Sequence, residues 1–229
     1  MYNNSVQRLL LECDKLAQEI SKEILDVVES TNTNGLKIQS HGRSIHIPQI
    51  MRLESRIEQF LYSAKSMLRD LTKIFDLFFE KKFTEARYDK VLTWAIHEFG
   101  SESELAQIID YDHEAWIKKL ISMRNAIEHP GGYSGHLNIC NFELVTSVQS
   151  EAKKLQEPCW YLNEEKKASI GTDLLTLSSN MLEFAEDILV ICIKMKGFPD
   201  MLKIVEIPEN QRENNALKRL RVIANMDNI

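Results

Sequence analysis

Apolar residues recur at steps of three and four over long stretches of this chain, and this spacing restricts it to packed helices. One apolar stripe runs from Val6 to Val27, and a second from Ile50 to Phe78. A third runs from Leu174 to Cys192. Helices with a single apolar face bury it most fully against one another. The sequence therefore predicts an all-α protein built as a helical bundle.

Capping and turn-forming residues predict where these helices begin and end. Gly100 is placed to terminate one helix, the segment from Ser101 to Glu104 has the pattern of a capping box, and Asp112 can cap the helix that follows. The first helix is expected to end before the polar cluster that starts at Ser30. The remaining predicted helices cover about 48–82, 84–99, 101–110, 112–129 and 173–196.

Two short segments interrupt the helical pattern. Residues 36–48 have alternating apolar residues and predict a hairpin or a loop. Residues 137–162 form a strand-rich insertion, like a β-hairpin, before the last long helix, with strands predicted at 137–144 and 159–162. We expect residues 1–196 to form the helical domain. The tail, 197–229, is expected to carry a strand over 202–207 and a small helix near 214–224.

Charge and cysteine usage exclude several classes of protein. Lys and Arg number 28 against 34 Asp and Glu, a net charge of −6, so any nucleic acid must be held by a local patch. The four cysteines form no C-x-x-C pair, so we expect free thiols and neither a zinc site nor a disulfide framework. No signal peptide, bilayer-length apolar run or nucleotide-binding motif is visible in the sequence. We expect a cytoplasmic protein without membrane contact, metal or cofactor.

The residues with the clearest chemistry are Arg124 and His129, which lie at the end of the helix predicted over 112–129. An arginine can hold a phosphate through two parallel hydrogen bonds, and a histidine can transfer protons near neutral pH. Arg124 follows Leu120 by four residues, which puts it on the apolar stripe, where a cation needs a partner. A plainer alternative is an ion pair between Arg124 and Glu128, with His129 favoured by the helix dipole.

Residues 123–130, Met-Arg-Asn-Ala-Ile-Glu-His-Pro, resemble the R-x4-6-H motif of the HEPN superfamily (higher eukaryotes and prokaryotes nucleotide-binding). A polar residue directly after the arginine, here Asn125, is typical of its members. The family fold is an up-and-down helical bundle with the motif in a late helix. The resemblance covers about residues 1–196 in architecture and 123–130 in motif.

The resemblance implies a metal-independent endoribonuclease that acts in a toxin–antitoxin or anti-phage defence setting. Arg124 and His129 are then the catalytic pair, and Asn125 positions the pair or the phosphate. The RNA 2′-hydroxyl attacks the adjacent phosphate and leaves a 2′,3′-cyclic phosphate and a 5′-hydroxyl. The implied partners are an RNA substrate, a second copy in a homodimer, and an antitoxin or other protein. Further candidates for substrate contact are Lys118, Lys119 and Glu128.

Two other functions are compatible with the sequence. Some HEPN members are non-catalytic and act through protein–protein interaction, and an unrelated all-α interaction protein is a third reading. In an enzyme, Arg124 and His129 should line one accessible cleft. In a binding module, the pair should be locked in ion pairs or covered by the 137–162 insertion. The chain also departs from some family toxins, which have a tyrosine where Gly131 stands here.

Overall fold

The computed structural model describes residues 2–36, 46–146, 153–197, 199, 202–212 and 219–225. Over these residues the protein is mostly helical, with small antiparallel sheets. The helices are α1 (Tyr2–Asn34), α2 (Leu53–Leu71), α3 (Lys73–Phe79), α4 (Tyr88–Phe99), α5 (Glu104–Asp112), α6 (Lys118–Glu128) and α7 (Ile170–Lys196). A π-helical turn, His113–Ile117, joins α5 to α6. The helical class is confirmed, but the prediction of an all-α protein is wrong in detail because short strands pair between and after the helices.

The first helix is longer than predicted. Its polar end, from Ser30 to Asn34, stays helical, and the chain leaves the helix at Gly35. Gly35 has a φ of +70°, and its amide donates to the carbonyl of Thr31 at 2.9 Å. A glycine in this left-handed conformation satisfies a terminal carbonyl without a side-chain penalty. The glycine therefore ends α1, and the turn-forming residues before it do not.

The helix predicted over about 48–82 is two helices, α2 and α3. Arg52 has a φ of +53°, so α2 cannot begin before Leu53. Thr72 separates the two helices, and its buried hydroxyl donates to the carbonyl of Arg69 at 2.8 Å. Such a side-chain bond to the preceding turn competes with the helical backbone ladder. Glu80, with a φ of +55°, then ends α3.

The caps around α4 and α5 differ from the predicted ones by a few residues. α4 begins at Tyr88 rather than at Thr84, and Gly100 ends it with a φ of +87°, as predicted. The N-cap of α5 is Ser103, whose hydroxyl accepts from the amide of Ala106 at 3.3 Å. The predicted break at Asp112 is absent. Its carboxylate accepts instead from Trp116 Nε1 at 2.6 Å, across the π-helical turn.

α7 confirms the predicted last long helix and begins three residues before Asp173. Its N-terminal turn is capped by Ser169, whose Oγ accepts from the amide of Thr172 at 3.5 Å. The carboxylate of Asp173, the residue at which the helix is predicted to begin, accepts from Trp160 Nε1 at 2.6 Å. Gly197, with a φ of +91°, follows the helix and ends it as predicted.

The strands form three small antiparallel sheets. The first sheet has the strand order β1-β4-β5 and consists of β1 (Leu137–Cys140), β4 (Cys159–Leu162) and β5 (Ala168–Ser169). In the second sheet, β2 (Glu143–Thr146) pairs with β3 (Lys153–Gln156). In the third, β6 (Leu202–Glu206) pairs with β7 (Leu220–Ala224). The strand at 159–162 is confirmed. The strand predicted over 137–144 is split because the side chain of Asn141 bonds the backbone of Ile50 in both directions, at 3.0 and 2.9 Å.

The tail contains a hairpin rather than a strand and a helix. The predicted strand over 202–207 is confirmed as β6. The helix predicted near 214–224 is wrong over 220–224, where β7 lies, and residues 213–218 are outside the described part of the chain. Arg219 leads into β7, and its Nε lies 2.5 Å from the carboxylate of Glu186. Of the hairpin or loop predicted over 36–48, residues 37–45 also lie outside the described residues.

The chain forms two compact units, each assembled from separate stretches of sequence. Residues 7–67 and 118–179 make the first, here called the Arg124 unit, and residues 1–6, 68–117 and 180–229 make the second, here called the Trp94 unit. The predicted boundary after residue 196 stays a prediction. No helix within the described ranges is long and apolar enough to cross a membrane.

Candidate functional site

Arg124 and Asn125 project from α6 in the Arg124 unit, and His129 is the first residue after that helix. Leu120, Met123 and Ala126 are buried, so α6 is held by its apolar face. The amide of His129 still donates to the carbonyl of Asn125 at 2.9 Å. The proline that follows His129 disfavours helical geometry there, which accounts for the end of the helix. The packing of α6 and its end at His129 therefore set the positions of the Arg124 and His129 side chains.

The guanidinium of Arg124 is paired with the carboxylate of Glu128. Its Nη2 donates to Oε1 at 2.8 Å, and its Nη1 contacts Oε2 of the same carboxylate. Two contacts between a planar guanidinium and a carboxylate form the bidentate arrangement that arginine also makes with phosphate. The Arg124 side chain retains only 16% of its accessible surface, whereas Glu128 retains 44%. The ion pair considered as an alternative in the sequence is therefore present.

His129 lies near the same carboxylate. Its Nε2 lies 3.5 Å from Oε2 of Glu128, at the edge of hydrogen-bonding range, and its side chain is 72% exposed. Arg124 and His129 thus both contact a single oxygen atom, Oε2 of Glu128. The two residues, five apart in sequence, thus lie near each other in space, and the Glu128 carboxylate occupies the position between their side chains.

Two residues of α2, which the sequence did not single out, complete the surroundings of the motif. Lys65 Nζ donates to Oδ1 of Asn125 at 2.7 Å. The ring of Tyr62 lies with its centroid 5.8 Å from Cζ of Arg124, within the range of a cation–π contact, and the tyrosine is 60% exposed. An ammonium group therefore contacts Asn125, and an exposed aromatic ring lies beside Arg124.

The loop after His129 is fastened by Asn163, which directly follows β4. The side chain of Asn163 accepts from the amide of His136 at 2.9 Å and donates to the carbonyl of Ser134 at 3.3 Å. Its own amide donates to the carbonyl of His136 at 2.8 Å. Within the loop, the backbone amide of Gly132 donates to the carbonyl of His129 at 2.9 Å. The loop that carries His129 is thereby fixed at both ends.

Lys118 and Lys119, the other predicted substrate contacts, are exposed on the first turn of α6. Lys119 Nζ lies 3.0 Å from Oε2 of Glu165. Lys119 precedes Arg124 by five residues, which is about 140° around a helix, so it leaves α6 in a different direction. Their role in substrate binding stays a prediction. That of Glu128 also stays a prediction, although its observed partners are the two motif residues.

Comparisons with models of known protein families, with curated proteins and with solved structures found no match to this chain. Among the residues that the structure describes, no group of His, Cys, Asp and Glu is arranged to hold a metal ion. The arrangement around Arg124 and His129 must therefore be interpreted from its own geometry.

Proposed function

We propose that this protein is a metal-independent endoribonuclease of the HEPN type, built on an up-and-down helical bundle. The observation that supports the proposal is the approach of Arg124 and His129 to one carboxylate oxygen of Glu128. A carboxylate and a phosphate are both anions with oxygen atoms that a guanidinium binds in bidentate fashion. The position between the two side chains is therefore suited to a phosphate of RNA once Glu128 moves aside.

The chemistry needs only groups that lie around that position. His129, whose side chain is 72% exposed, removes the proton from the 2′-hydroxyl or returns one to the leaving 5′-oxygen. Arg124 stabilises the negative charge that develops on the phosphoryl oxygens. Asn125, held by Lys65, orients the phosphate. The exposed ring of Tyr62 offers a stacking surface for a neighbouring base.

The wider setting is part of the same proposal. We place the protein in the cytoplasm, as a homodimer in which two motifs face one cleft, with a toxin or anti-phage role and an antitoxin or other protein as its regulator. Size-exclusion chromatography with light scattering tests the dimer directly.

A non-catalytic HEPN-like module is the second candidate, and the Arg124–Glu128 ion pair favours it. In that case the guanidinium fixes the end of α6, and the surface around Tyr62 and His129 binds a protein. The distinction is whether Arg124 can exchange Glu128 for a phosphate or is permanently held by it. Glu128, the more exposed partner, keeps the pair at the protein surface, where ion pairs contribute only about 0.2–1 kcal/mol, so the exchange is energetically accessible.

The test is RNA cleavage by the purified protein in the presence of a chelator. The wild type is compared with Arg124→Ala and His129→Ala, and with the matched variants Arg87→Ala and His97→Ala, whose side chains are exposed in the Trp94 unit. The proposal predicts cleavage by the wild type and both matched variants and none by the two motif variants. Equal cleavage by all five proteins, or none by any, rejects it.

A further inference from the structure

Cys140 and Cys159 lie opposite each other in the ladder between β1 and β4. Directly opposed residues of an antiparallel pair have Cα atoms about 4.5–5.5 Å apart and side chains on the same face of the sheet. A disulfide requires Cα atoms about 4.4–6.8 Å apart, so the backbone separation is already suitable. Both thiols are unbridged in this structure.

The two thiols differ in access. Cys140 is half-buried, whereas Cys159 is buried and its Sγ accepts from Gln156 Nε2 at 3.3 Å. A small reagent can therefore reach Cys140 first, and Cys159 is the neighbouring thiol that reacts second. The remaining cysteines, Cys13 on α1 and Cys192 on α7, have no exposed surface. They serve as internal controls for the reactivity of a buried thiol.

We propose that Cys140 and Cys159 form a reversible redox site, which closes to a disulfide by exchange with a small-molecule disulfide such as oxidised glutathione. The Cys140 thiolate attacks one sulfur of glutathione disulfide, whose S–S bond breaks and releases one glutathione thiol after it takes up a proton. Cys159, on losing its proton, then attacks the Cys140 sulfur of the mixed disulfide. The second glutathione leaves as a thiol, and the protein has been oxidised by two electrons while one glutathione disulfide has been reduced.

The cysteine pair lies in the strand ladder that leads to the loop after His129. The β1–β4 ladder has Cys140 and Cys159 at one end and Leu137 opposite Leu162 at the other. Asn163, which fastens the loop, follows Leu162 directly. A cross-link therefore joins the two strands at the end of this ladder that lies away from the loop. This inference rests on the strand register and on the access of the two thiols, and it does not depend on ribonuclease activity.

The conditions of the test follow from the environment of Cys140. Burial raises the pKa of the Cys140 thiol above its ordinary value, and the neighbouring Cys159 and Glu143 add to the rise. Because the thiolate is the attacking species, exchange is slow at neutral pH and faster in mild alkali, at about pH 8.5. The wild-type protein is incubated there with oxidised glutathione, and its thiols and intact mass are measured before and after addition of dithiothreitol.

The proposal predicts that the thiols fall from four to two, with a mass loss of two hydrogen atoms and a single peptide linkage between Cys140 and Cys159. Dithiothreitol restores all four. Cys140→Ser and Cys159→Ser each give no internal bridge, and the thermal midpoint of the oxidised wild type rises by several degrees. Retention of four thiols, a persistent glutathione adduct on the wild type, or a bridge between any other pair overturns the proposal. The wild-type result is decisive even if a serine variant fails to fold.

Discussion

Arg124 and Glu128 are joined on one face of α6 by two contacts, one of which is a hydrogen bond of 2.8 Å from Nη2 to Oε1. The same carboxylate lies 3.5 Å from Nε2 of His129. One acidic side chain therefore occupies the position at which the proposed reaction requires a phosphate. Under this account Glu128 competes with substrate, and its removal should be visible in binding.

We expect Glu128→Gln to bind RNA about 1.4 to 5 times more tightly, because it loses a competing ion pair worth about 0.2–1 kcal/mol. The measurement is fluorescence anisotropy with a short RNA whose 2′-hydroxyls are methylated, so that it binds without being cut. Glu165→Gln, which removes the carboxylate paired with Lys119, is the matched control and should leave the affinity unchanged. Weaker binding by Glu128→Gln would instead make Glu128 a direct substrate contact.

Lys65 and Asn125 should be energetically coupled. Lys65 also makes other interactions, so a single substitution does not isolate its bond to Asn125. A double-mutant cycle with Lys65→Ala and Asn125→Ala cancels the contributions of each residue's other interactions. We expect a coupling of about 1 kcal/mol in the free energy of unfolding by urea. Additive effects within experimental error would show that this contact contributes nothing to the position of Asn125.

Gly135→Ala should destabilise the loop after His129. Gly135 has a φ of +77°, and an added Cβ would lie 1.9 Å from Oδ1 of Asn163. Gly100→Ala is the matched control, since its φ is +87° but nothing lies within 4 Å of an added Cβ. In the control we expect a loss of about 1–3 kcal/mol from the positive φ alone, and a larger loss in Gly135→Ala.

The excess loss at Gly135 should come from the collision with Asn163. Calorimetric unfolding of Gly135→Ala, Asn163→Ala and the double variant separates the two effects. If the double variant loses as much stability as the two single variants together, the added Cβ does not collide with the Asn163 side chain.

The buried thiol of Cys13 should lower the free energy of unfolding as the pH rises above 9. Burial raises the pKa of its thiol to about 12, with smaller contributions from Glu12 and Asp14. A raised folded-state pKa means that the stabilisation is complete below the unfolded value of 9.0 and is lost as pH rises towards 12. The unfolding free energy should therefore fall by about 1.4 kcal/mol more per pH unit in the wild type than in Cys13→Ala. Urea titrations from pH 9 to 10.5 measure this difference, and parallel slopes would contradict it.

Local patterns predicted the parts of the fold that depend on near neighbours in sequence. Gly100 as a helix end and the pairing of Arg124 with Glu128 depend on residues within one helical turn. The end of α1 was placed too early because a glycine in the left-handed conformation outweighed the polar residues before it. The π-helical turn was missed because it continues the helix through Asp112, whose side chain bonds Trp116 instead of capping.

The rest of the candidate site depends on contacts between distant segments. Tyr62 and Lys65 lie about 60 residues before the residues they contact on α6, and no short-range spacing connects them. Asn163 likewise fastens a loop that precedes it by 27 residues. The motif itself was visible in the sequence, whereas the residues that hold and surround it became apparent only once α2, α6 and β4 were placed in space.

The central claim is tested most directly by the chemistry of the RNA ends that the wild-type protein leaves in the presence of a chelator. Mass spectrometry of the fragments from a defined RNA, beside the same RNA with 2′-deoxy nucleotides, reports both products and the need for the 2′-hydroxyl. The account predicts a 2′,3′-cyclic phosphate and a 5′-hydroxyl from the RNA, no cleavage of the deoxy substrate, and no cleavage by His129→Ala. A 3′-hydroxyl with a 5′-phosphate, or intact RNA with the wild type, would contradict it.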